Sequence, residues 1–217
     1  MIRAILFDLD GTLVDTERLQ WQAYRETLLR YGVDVSLEEY ARRFIAEGGG
    51  PEWACRTHRL PIDPETLRAK KAVVYRRLVP DAVRACAGAA DALARLADAY
   101  TLAVVTNSAR GETEAILDRV GMRGAFATLV TREDYAAAKP APDGYLEAAR
   151  RLAQPARACV VVEDTARGTA AGVAAGMAVV AVPNPLTADN DFAGAAVMIA
   201  SLGDLTPALL RSLGSAR

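Results

Sequence analysis

The feature of this sequence that most constrains its fold is a series of short, continuous apolar runs separated by segments with helical spacing. Such runs, ended by polar residues or glycine, are typical of parallel strands that are buried on both faces. Alternating strands and helices predict an α/β fold with a doubly wound, Rossmann-like parallel sheet, whose ligands bind beyond the carboxyl ends of the strands. The predicted strands are residues 2–7, 102–105, 159–162 and 178–182, with a weaker candidate at 128–130, and the predicted helices between them lie at 89–97, 112–120 and 145–152.

A different pattern occupies residues 15–81, where apolar positions recur at helical spacing and no strand is predicted. Asp63 followed by Pro64 marks a helix start there, because aspartate is a favoured N-cap and proline suits the first helical position. The sequence therefore predicts two domains. A Rossmann-like catalytic core is formed by residues 1–14 and 82–217, and an all-helical cap of residues 15–81 is inserted after the first strand.

Charge and apolar patterning favour a cytoplasmic protein that handles small molecules. The net charge of −1 provides no basic field that would attract nucleic acid. The most apolar stretch, residues 172–182, is far shorter than the about 18 residues that span a bilayer, and Asp8 and Asp10 interrupt any signal peptide. We expect a cytoplasmic monomer with no membrane or nucleic-acid partner.

Several common catalytic groups are missing from the sequence. His58 is the single histidine, and the three cysteines are scattered and lack the arginine spacing of a cysteine-based phosphatase. The sequence also contains no Gly-x-Ser-x-Gly elbow, no Walker-type phosphate loop and no Gly-x-Gly-x-x-Gly. Catalysis is therefore predicted to depend on carboxylates.

Polar side chains follow the predicted strands, at the edge where a parallel sheet binds its ligands. Asp8 and Asp10 follow the first strand. Two carboxylates about 4 Å apart repel by about 4 kcal/mol at an effective dielectric of about 20, so a cation is expected beside them. Thr106 and Asn107 follow the second strand and can donate hydrogen bonds to phosphate oxygens. Taken alone, these residues also fit an ordinary turn or helix cap.

Two further clusters complete the set. Lys139 lies in the proline-rich segment 139–143, where the backbone is stiff and the ammonium group is restrained, although an exposed lysine is an equal alternative. Glu163 and Asp164 end an apolar strand, and carboxylates beside a core need a pairing partner or a metal. Because each cluster falls at the end of a parallel strand, all of them are predicted to converge at one edge of the sheet.

In this order, the clusters resemble the four motifs of the haloacid dehalogenase-like hydrolases, and the chain is similar to their β-phosphoglucomutase-like phosphatase group with a helical cap. The resemblance covers essentially the whole core. The matching segments are Asp8-x-Asp10-Gly11-Thr12, Thr106-Asn107, Lys139-Pro140-Ala141-Pro142-Asp143 and Glu163-Asp164-Thr165, followed by Gly168 and Ala175-Gly176-Met177.

The resemblance implies a Mg²⁺-dependent phosphatase that passes through an aspartyl-phosphate intermediate. Asp8 is then the nucleophile, and Asp10 protonates the leaving oxygen and afterwards activates water. Mg²⁺ would bind to Asp8, to the backbone carbonyl of Asp10 and to Asp164, together with waters. Glu163 is implied either as a further metal ligand or as the neighbour of one.

The resemblance also implies groups that hold the substrate. Preorganised donors would bind the phosphoryl oxygens, namely Thr106, the Asn107 backbone and Lys139. The substrate is expected to be a phosphorylated small metabolite, with sugar phosphates as the first candidates. Candidate substrate contacts in the cap are Thr16, Gln20 and Gly49.

Two alternative functions stay open. A β-phosphoglucomutase-type transfer between sugar hydroxyls uses the same motifs, but those mutases carry a histidine early in the cap and an arginine in a cap loop. At the corresponding places this chain has Gln20 and a predicted flexible loop of the glycines 48–50. This departure favours a phosphatase. A catalytically silent interaction protein on the same fold would normally have lost one of the core groups, and each of them is present here.

Overall fold

The computed structural model describes residues 1–215, and its central element is a six-stranded parallel sheet with the strand order β3-β2-β1-β4-β5-β6. The α/β class and the doubly wound sheet that the sequence predicts are therefore confirmed. All five predicted strands are present, with slightly shifted ends. The strands are β1 (Ala4–Phe7), β2 (Thr101–Val105), β3 (Thr128–Val130), β4 (Cys159–Glu163), β5 (Ala178–Ala181) and β6 (Val197–Met198).

The sixth strand is the one that the sequence pattern does not predict. It has two residues, too few to establish a period, and it lies at the sheet edge, where Met198 is exposed. Among residues 1–215 no helix is both long and apolar enough to cross a lipid bilayer. The helices are α1 (Glu17–Leu29), α2 (Leu37–Tyr40), α3 (Gly50–Thr57), α4 (Pro64–Ala82), α5 (Ala89–Leu96), α6 (Arg110–Arg119), α7 (Asp143–Arg151), α8 (Ala166–Ala174) and α9 (Pro207–Ser215).

The position of β1 in the sheet determines where the polar clusters lie. Strands β1, β4 and β5 are buried along their whole length, as expected of strands covered on both faces. β1 pairs with β2 on one side and with β4 on the other, so Phe7 is opposite both Val104 and Val162. The segments that follow these three strands therefore leave the sheet at the same edge, side by side.

The chain divides into two compact units. The core unit comprises Met1–Asp15 and Arg84–Arg217, and the helical unit comprises Thr16–Val83. Within the described part of the helical unit there is no strand, and a π-helical segment, Ala41–Ala46, lies between α2 and α3. The assignment of the helical unit as a cap stays a prediction.

Aromatic side chains pack together inside the helical unit. Between ring centroids, Phe44 lies 4.7 Å from Tyr24, 5.1 Å from Tyr40 and 5.8 Å from Trp53. Rings at these separations, whether offset-stacked or inclined, attract one another beyond the effect of their buried area. The unit therefore has an interior of its own.

The glycines at 48–50 form less of a loop than the sequence suggests. The structure begins α3 at Gly50, which is buried, so the last glycine belongs to the helix. Gly49 lies tightly against the same helix, because an added Cβ at this position would be 2.8 Å from the Trp53 Cβ. Close packing, rather than flexibility alone, requires the glycine at position 49.

Candidate active site

A buried lysine joins the acids that follow β1 and β4. Lys139 Nζ donates to Asp8 Oδ1 at 2.5 Å, to Glu163 Oε1 at 2.7 Å and to the Val105 carbonyl at 2.9 Å. Lys139 is 6% exposed, Asp8 8% and Glu163 1%. Buried ion pairs stabilise a protein only when their remaining donors are also satisfied, and the Val105 carbonyl meets that condition. Lys139 is thus no exposed surface lysine, and it supplies a cation beside Asp8.

Burial and neighbouring charges both shift the pKa values of Lys139 and Asp8. Burial lowers the pKa of Lys139, but Asp8 and Glu163 outweigh it, and the pKa lies well above its ordinary value. Burial raises the pKa of Asp8 well above its ordinary value, an effect that Lys139 opposes and Glu163 reinforces. Lys139 is therefore a permanent cation at neutral pH, whereas a further positive charge beside Asp8 would favour its ionised form.

Glu163 is surrounded by donors of the protein itself. Its Oε1 accepts from Lys139 Nζ at 2.7 Å and from the Tyr145 hydroxyl at 2.9 Å. Its Oε2 accepts from the Asp164 and Thr165 backbone N–H groups at 3.1 and 3.2 Å and from the Thr165 hydroxyl at 3.0 Å. A carboxylate offers about four lone-pair sites, so these five donors occupy its capacity. The arrangement favours Glu163 as the residue that holds Lys139 in place, rather than as a metal ligand.

Asp164 is held at both of its oxygens. The Thr12 hydroxyl donates to Oδ1 at 3.0 Å, and the Asn184 Nδ2 donates to Oδ2 at 2.7 Å. Asp164 is fully buried. These two donors orient the carboxylate beside Asp8.

The acids at this edge of the sheet fit a divalent metal ion. Asp8, Glu163 and Asp164 can each place one carboxylate oxygen within 4.8 Å of the others. Such hard oxygen donors suit Mg²⁺, and Asp10 adds a fourth carboxylate nearby. Because Lys139 and other protein donors already occupy Glu163, Asp8 and Asp164 are the acids of this group that best fit a divalent cation.

Asp10 is oriented by hydroxyl groups of the segment that follows β2. Its Oδ2 accepts from the Ser108 hydroxyl at 2.7 Å and from the Thr106 hydroxyl at 3.4 Å. The Ser108 N–H donates in turn to the Thr106 hydroxyl at 3.0 Å. Thr106, which the sequence assigns to phosphate binding, therefore lies directly beside the Asp10 carboxylate.

The Asn107 side chain connects two of the clusters. Its Oδ1 lies 2.8 Å from the Tyr135 hydroxyl and accepts from the Lys139 backbone N–H at 3.3 Å. The Tyr135 hydroxyl also lies 2.7 Å from the Thr106 carbonyl. These contacts tie the segment after β2 to the segment that carries Lys139. Phosphate binding by the Asn107 backbone stays a prediction.

Three predicted substrate residues belong to the helical unit. Thr16 is buried just before α1, and its carbonyl accepts from the Gln20 N–H at 2.9 Å. Gln20 is half buried on the first turn of α1, and Gly49 packs against Trp53. Their roles toward a substrate stay predictions.

Tyr145 and Asn184 are site residues that the sequence does not single out. Tyr145 lies on the apolar face of α7, where it resembles an ordinary core residue, yet a buried tyrosine needs a partner for its hydroxyl. Asn184 is followed by Pro185, which is typical of a turn. It also follows β5, so the criterion that found the other clusters, a polar residue after a buried strand, applies to it as well.

Comparison with known proteins gives consistent matches. A family model described as "haloacid dehalogenase-like hydrolase" matches residues 2–176. Protein CbbY of Rhodobacter capsulatus is 32% identical over 206 residues, which cover 89% of this chain and 91% of that protein. The fructose-1-phosphate phosphatase YqaB of Escherichia coli is 32% identical over 178 residues, which cover 80% of this chain and 92% of that protein.

Solved structures of CbbY from Rhodobacter sphaeroides are similar along nearly the whole chain. The complex with phosphate is 30% identical, with a TM-score of 0.86, and the match covers 97% of this chain and 100% of that one. A mutant in complex with xylulose-(1,5)bisphosphate is also 30% identical, with a TM-score of 0.84, and covers 94% of this chain and 96% of that one.

Proposed function

The chain belongs to the haloacid dehalogenase-like hydrolases, and from this premise we propose that it is a Mg²⁺-dependent phosphatase of sugar phosphates that carries the phosphoryl group on Asp8. The observation that carries the proposal is the buried ion pair of Asp8 with Lys139, at 2.5 Å, beside Glu163 and Asp164. An aspartate in this position is a nucleophile next to a permanent cation. Phosphatase activity is also what the YqaB relative is named for.

In the proposed first step, an Asp8 oxygen attacks the phosphorus in line with the ester bond. The new O–P bond forms as the bond from phosphorus to the sugar oxygen breaks. Asp10 gives its proton to that leaving oxygen, and the Ser108 and Thr106 hydroxyls keep its carboxyl group oriented. Lys139 balances part of the charge on the transferring group.

In the second step, water attacks the phosphorus of the aspartyl phosphate. Asp10, now ionised, accepts a proton from that water, and the O–P bond to Asp8 breaks. Inorganic phosphate leaves and both carboxyl groups return to their starting states. One group thus acts first as acid and then as base, which is why its orientation matters in both steps.

A divalent cation would be held by Asp8, Asp164 and the Asp10 backbone carbonyl, with Glu163 behind them as the partner of Lys139. When bound, it would neutralise charge on the phosphoryl oxygens and orient the substrate. The saturation of Glu163 by five protein donors supports this division of roles.

A phosphorylated sugar is the proposed substrate, because relatives are named for fructose 1-phosphate or are solved with xylulose-(1,5)bisphosphate. We propose that the helical unit chooses among such substrates, since the groups that act on phosphorus all belong to the core unit. A panel of phosphorylated sugars, compared by kcat/KM, measures that choice.

The test of the proposed chemistry is Asp8→Asn, with the exposed core-unit acid changed in Asp98→Asn as a matched control. We expect D8N to remain folded and to lose turnover of p-nitrophenyl phosphate, because an amide cannot attack phosphorus. D98N should retain wild-type turnover. In wild-type protein quenched with acid during turnover, mass spectrometry should find one phosphoryl group on Asp8.

Appreciable turnover by purified D8N would exclude Asp8 as the nucleophile. Undiminished wild-type turnover after removal of divalent metal by a chelator would exclude the Mg²⁺ requirement while leaving the role of Asp8 intact.

A further inference from the structure

Asn184 lies in the connection that follows β5, and its side chain has two different tasks. Its Nδ2 donates to Asp164 Oδ2 at 2.7 Å and lies 3.5 Å from the Gly11 carbonyl. Its Oδ1 accepts from the Leu186 backbone N–H at 2.8 Å, which closes a turn. The turn therefore fixes the Asn184 side chain, and the Asn184 side chain fixes the Asp164 carboxylate.

Thr12 and Gly11 also restrain the Asp164 carboxylate. Thr12 donates to its other oxygen at 3.0 Å. Gly11 packs so closely that an added Cβ there would overlap with Asp164 Oδ2 and would lie 2.9 Å from Asn184 Nδ2. Gly11 also has a φ of +84°, which disfavours any other residue. Asn184 thus supplies a donor that orients Oδ2.

We infer that Asn184 is a positioning residue that fixes the Asp164 carboxylate for a divalent cation and thereby sets the affinity for that cation. The inference rests on the proposed function and deepens it. Without the Nδ2 donor, Oδ2 would lose a hydrogen bond that orients it, and the binding of the cation would have to supply that ordering. Partners that orient metal ligands typically contribute about 10- to 100-fold to metal affinity.

The experiment is a titration of metal-free protein with Mn²⁺ alone, in which electron paramagnetic resonance measures the free ion. Asn184→Ser removes the donor to Asp164 but keeps a hydroxyl that can accept from the Leu186 N–H, so the turn is preserved. The matched control is Asn190→Ser. Asn190 lies in the same connection and is also half buried, but its Oδ1 accepts from the Ala166 N–H at the start of α8.

We expect the dissociation constant of N184S for Mn²⁺ to rise about 10- to 100-fold, and that of N190S to stay within about two-fold of the wild type. In assays, N184S should need more Mg²⁺ for half-maximal rate, while its kcat at saturating Mg²⁺ should stay within about three-fold. A purely structural role would lower kcat as well and would lower the melting temperature of the metal-free protein.

Equal Mn²⁺ affinity of N184S and wild type would overturn the inference and leave the proposed function standing. A wild type that binds no Mn²⁺ would overturn both, and that result is distinguishable because it appears before any variant is made. Asn184→Ala serves as a second variant if N184S does not fold. If neither folds while N190S does, Asn184 is needed for the fold and the positioning role is wrong.

Discussion

The core unit buries one cluster of charged side chains beside exposed ion pairs such as Arg123–Asp118, whereas the ion pairs described in the helical unit are all exposed or half exposed. In the core unit, Asp8, Lys139, Glu163 and Asp164 are at most 8% exposed and meet at one place. In the described part of the helical unit, the side chains of five ion pairs are 33% to 64% exposed and lie along the surface. These pairs are Arg25–Asp34, Arg30–Glu26, Arg43–Glu47, Arg68–Glu52 and Arg77–Glu26.

This difference indicates which charged residues can be replaced at little cost in stability and which cannot. Water screens exposed ion pairs, so their partners can change with little effect on stability. Buried charges need partners inside the protein, and removal of one partner is strongly destabilising. Lys71 of the helical unit is buried too, but it lies over aromatic rings, 4.3 Å from the Tyr75 centroid and 5.4 Å from that of Tyr24. We therefore assign the chemistry to the core unit.

The largest contrast between the units should appear in turnover. We expect Asp10→Asn to lower kcat by about 10²- to 10⁴-fold, the usual contribution of a general acid and base. The loss should be greater for a poor leaving group than for p-nitrophenolate, because only the poor one needs a proton. Asp34→Asn, which breaks an exposed pair of the helical unit, should leave kcat unchanged. An equal loss for both leaving groups would show that Asp10 is not the proton donor.

The second contrast concerns the free energy of unfolding. Lys139→Met leaves Asp8 and Glu163 buried without their cation, which should cost about 3–5 kcal/mol. Arg68→Met, which breaks the pair with Glu52, should cost about 0–1 kcal/mol. Urea denaturation at neutral pH measures both. If the two variants lose equal stability, the contrast between buried and exposed charges is not what distinguishes the units.

A matched pair of tyrosines sharpens the comparison. Tyr145 in the core unit and Tyr40 in the helical unit are both buried, and each donates to a glutamate at 2.9 Å. Tyr145→Phe should cost about 2–3 kcal/mol, because its acceptor, Glu163, is buried and charged. Tyr40→Phe should cost less, because water reaches its half-buried acceptor, Glu17. Thermal melting of the two variants decides the point, and a larger loss for Tyr40→Phe would contradict it.

The smallest expected effect is a pH-dependent loss in the free energy of unfolding. Asp134 of the core unit is buried in part, and hydrogen bonds from Thr131 and Arg151 lower its pKa to about 2, although burial opposes them. Because the folded pKa lies below the unfolded value, its stabilisation is complete above about pH 4 and is lost as pH falls toward about 2. We expect Asp134→Asn to cost about 1–2 kcal/mol at pH 7 and progressively less below pH 4.

The control for that prediction comes from the helical unit. Asp63 is the N-cap of α4, where it accepts from the Thr66 N–H at 2.7 Å, but it is exposed. Asp63→Asn should cost less than Asp134→Asn across the pH range, since asparagine is also a good N-cap. Chemical denaturation at several pH values measures both. A constant difference between wild type and Asp134→Asn from pH 7 to pH 2 would show that Asp134 is not responsible.

The start of α4 and the glycines at 48–50 show which local structures the sequence pattern predicts correctly and which it does not. Asp63 caps α4 as predicted, because an N-cap depends on a few neighbouring residues. The glycines at 48–50 are predicted as a loop from composition, yet Gly50 begins α3 and Gly49 is required by the nearby Trp53. Local composition does not say what packs against a backbone, so this part required the structure.

The candidate site also has features that the sequence predicts and features that only the structure reveals. That Asp8, Lys139 and Asp164 should meet is predictable, because parallel strands end at one edge of a sheet. That Glu163 faces Lys139 and Tyr145 is not, because the orientation of one carboxylate depends on donors from several distant segments. Asn184 also follows a strand, so the strand-end pattern admits it, but only the structure shows that its amide donates to Asp164.

By itself, the sequence determined the alternation of strands and helices, the inserted helical segment and the identity of the acids after the strands. These features follow from hydrophobic periodicity and chain order, which are local properties. Only the tertiary structure decided which donor meets which oxygen. The Thr12 hydroxyl and the Asp164 carboxylate that it contacts are 152 positions apart, and nothing in the neighbourhood of either residue specifies the other. Hydrogen-bond pairing in a buried site is a property of segments brought together by the fold.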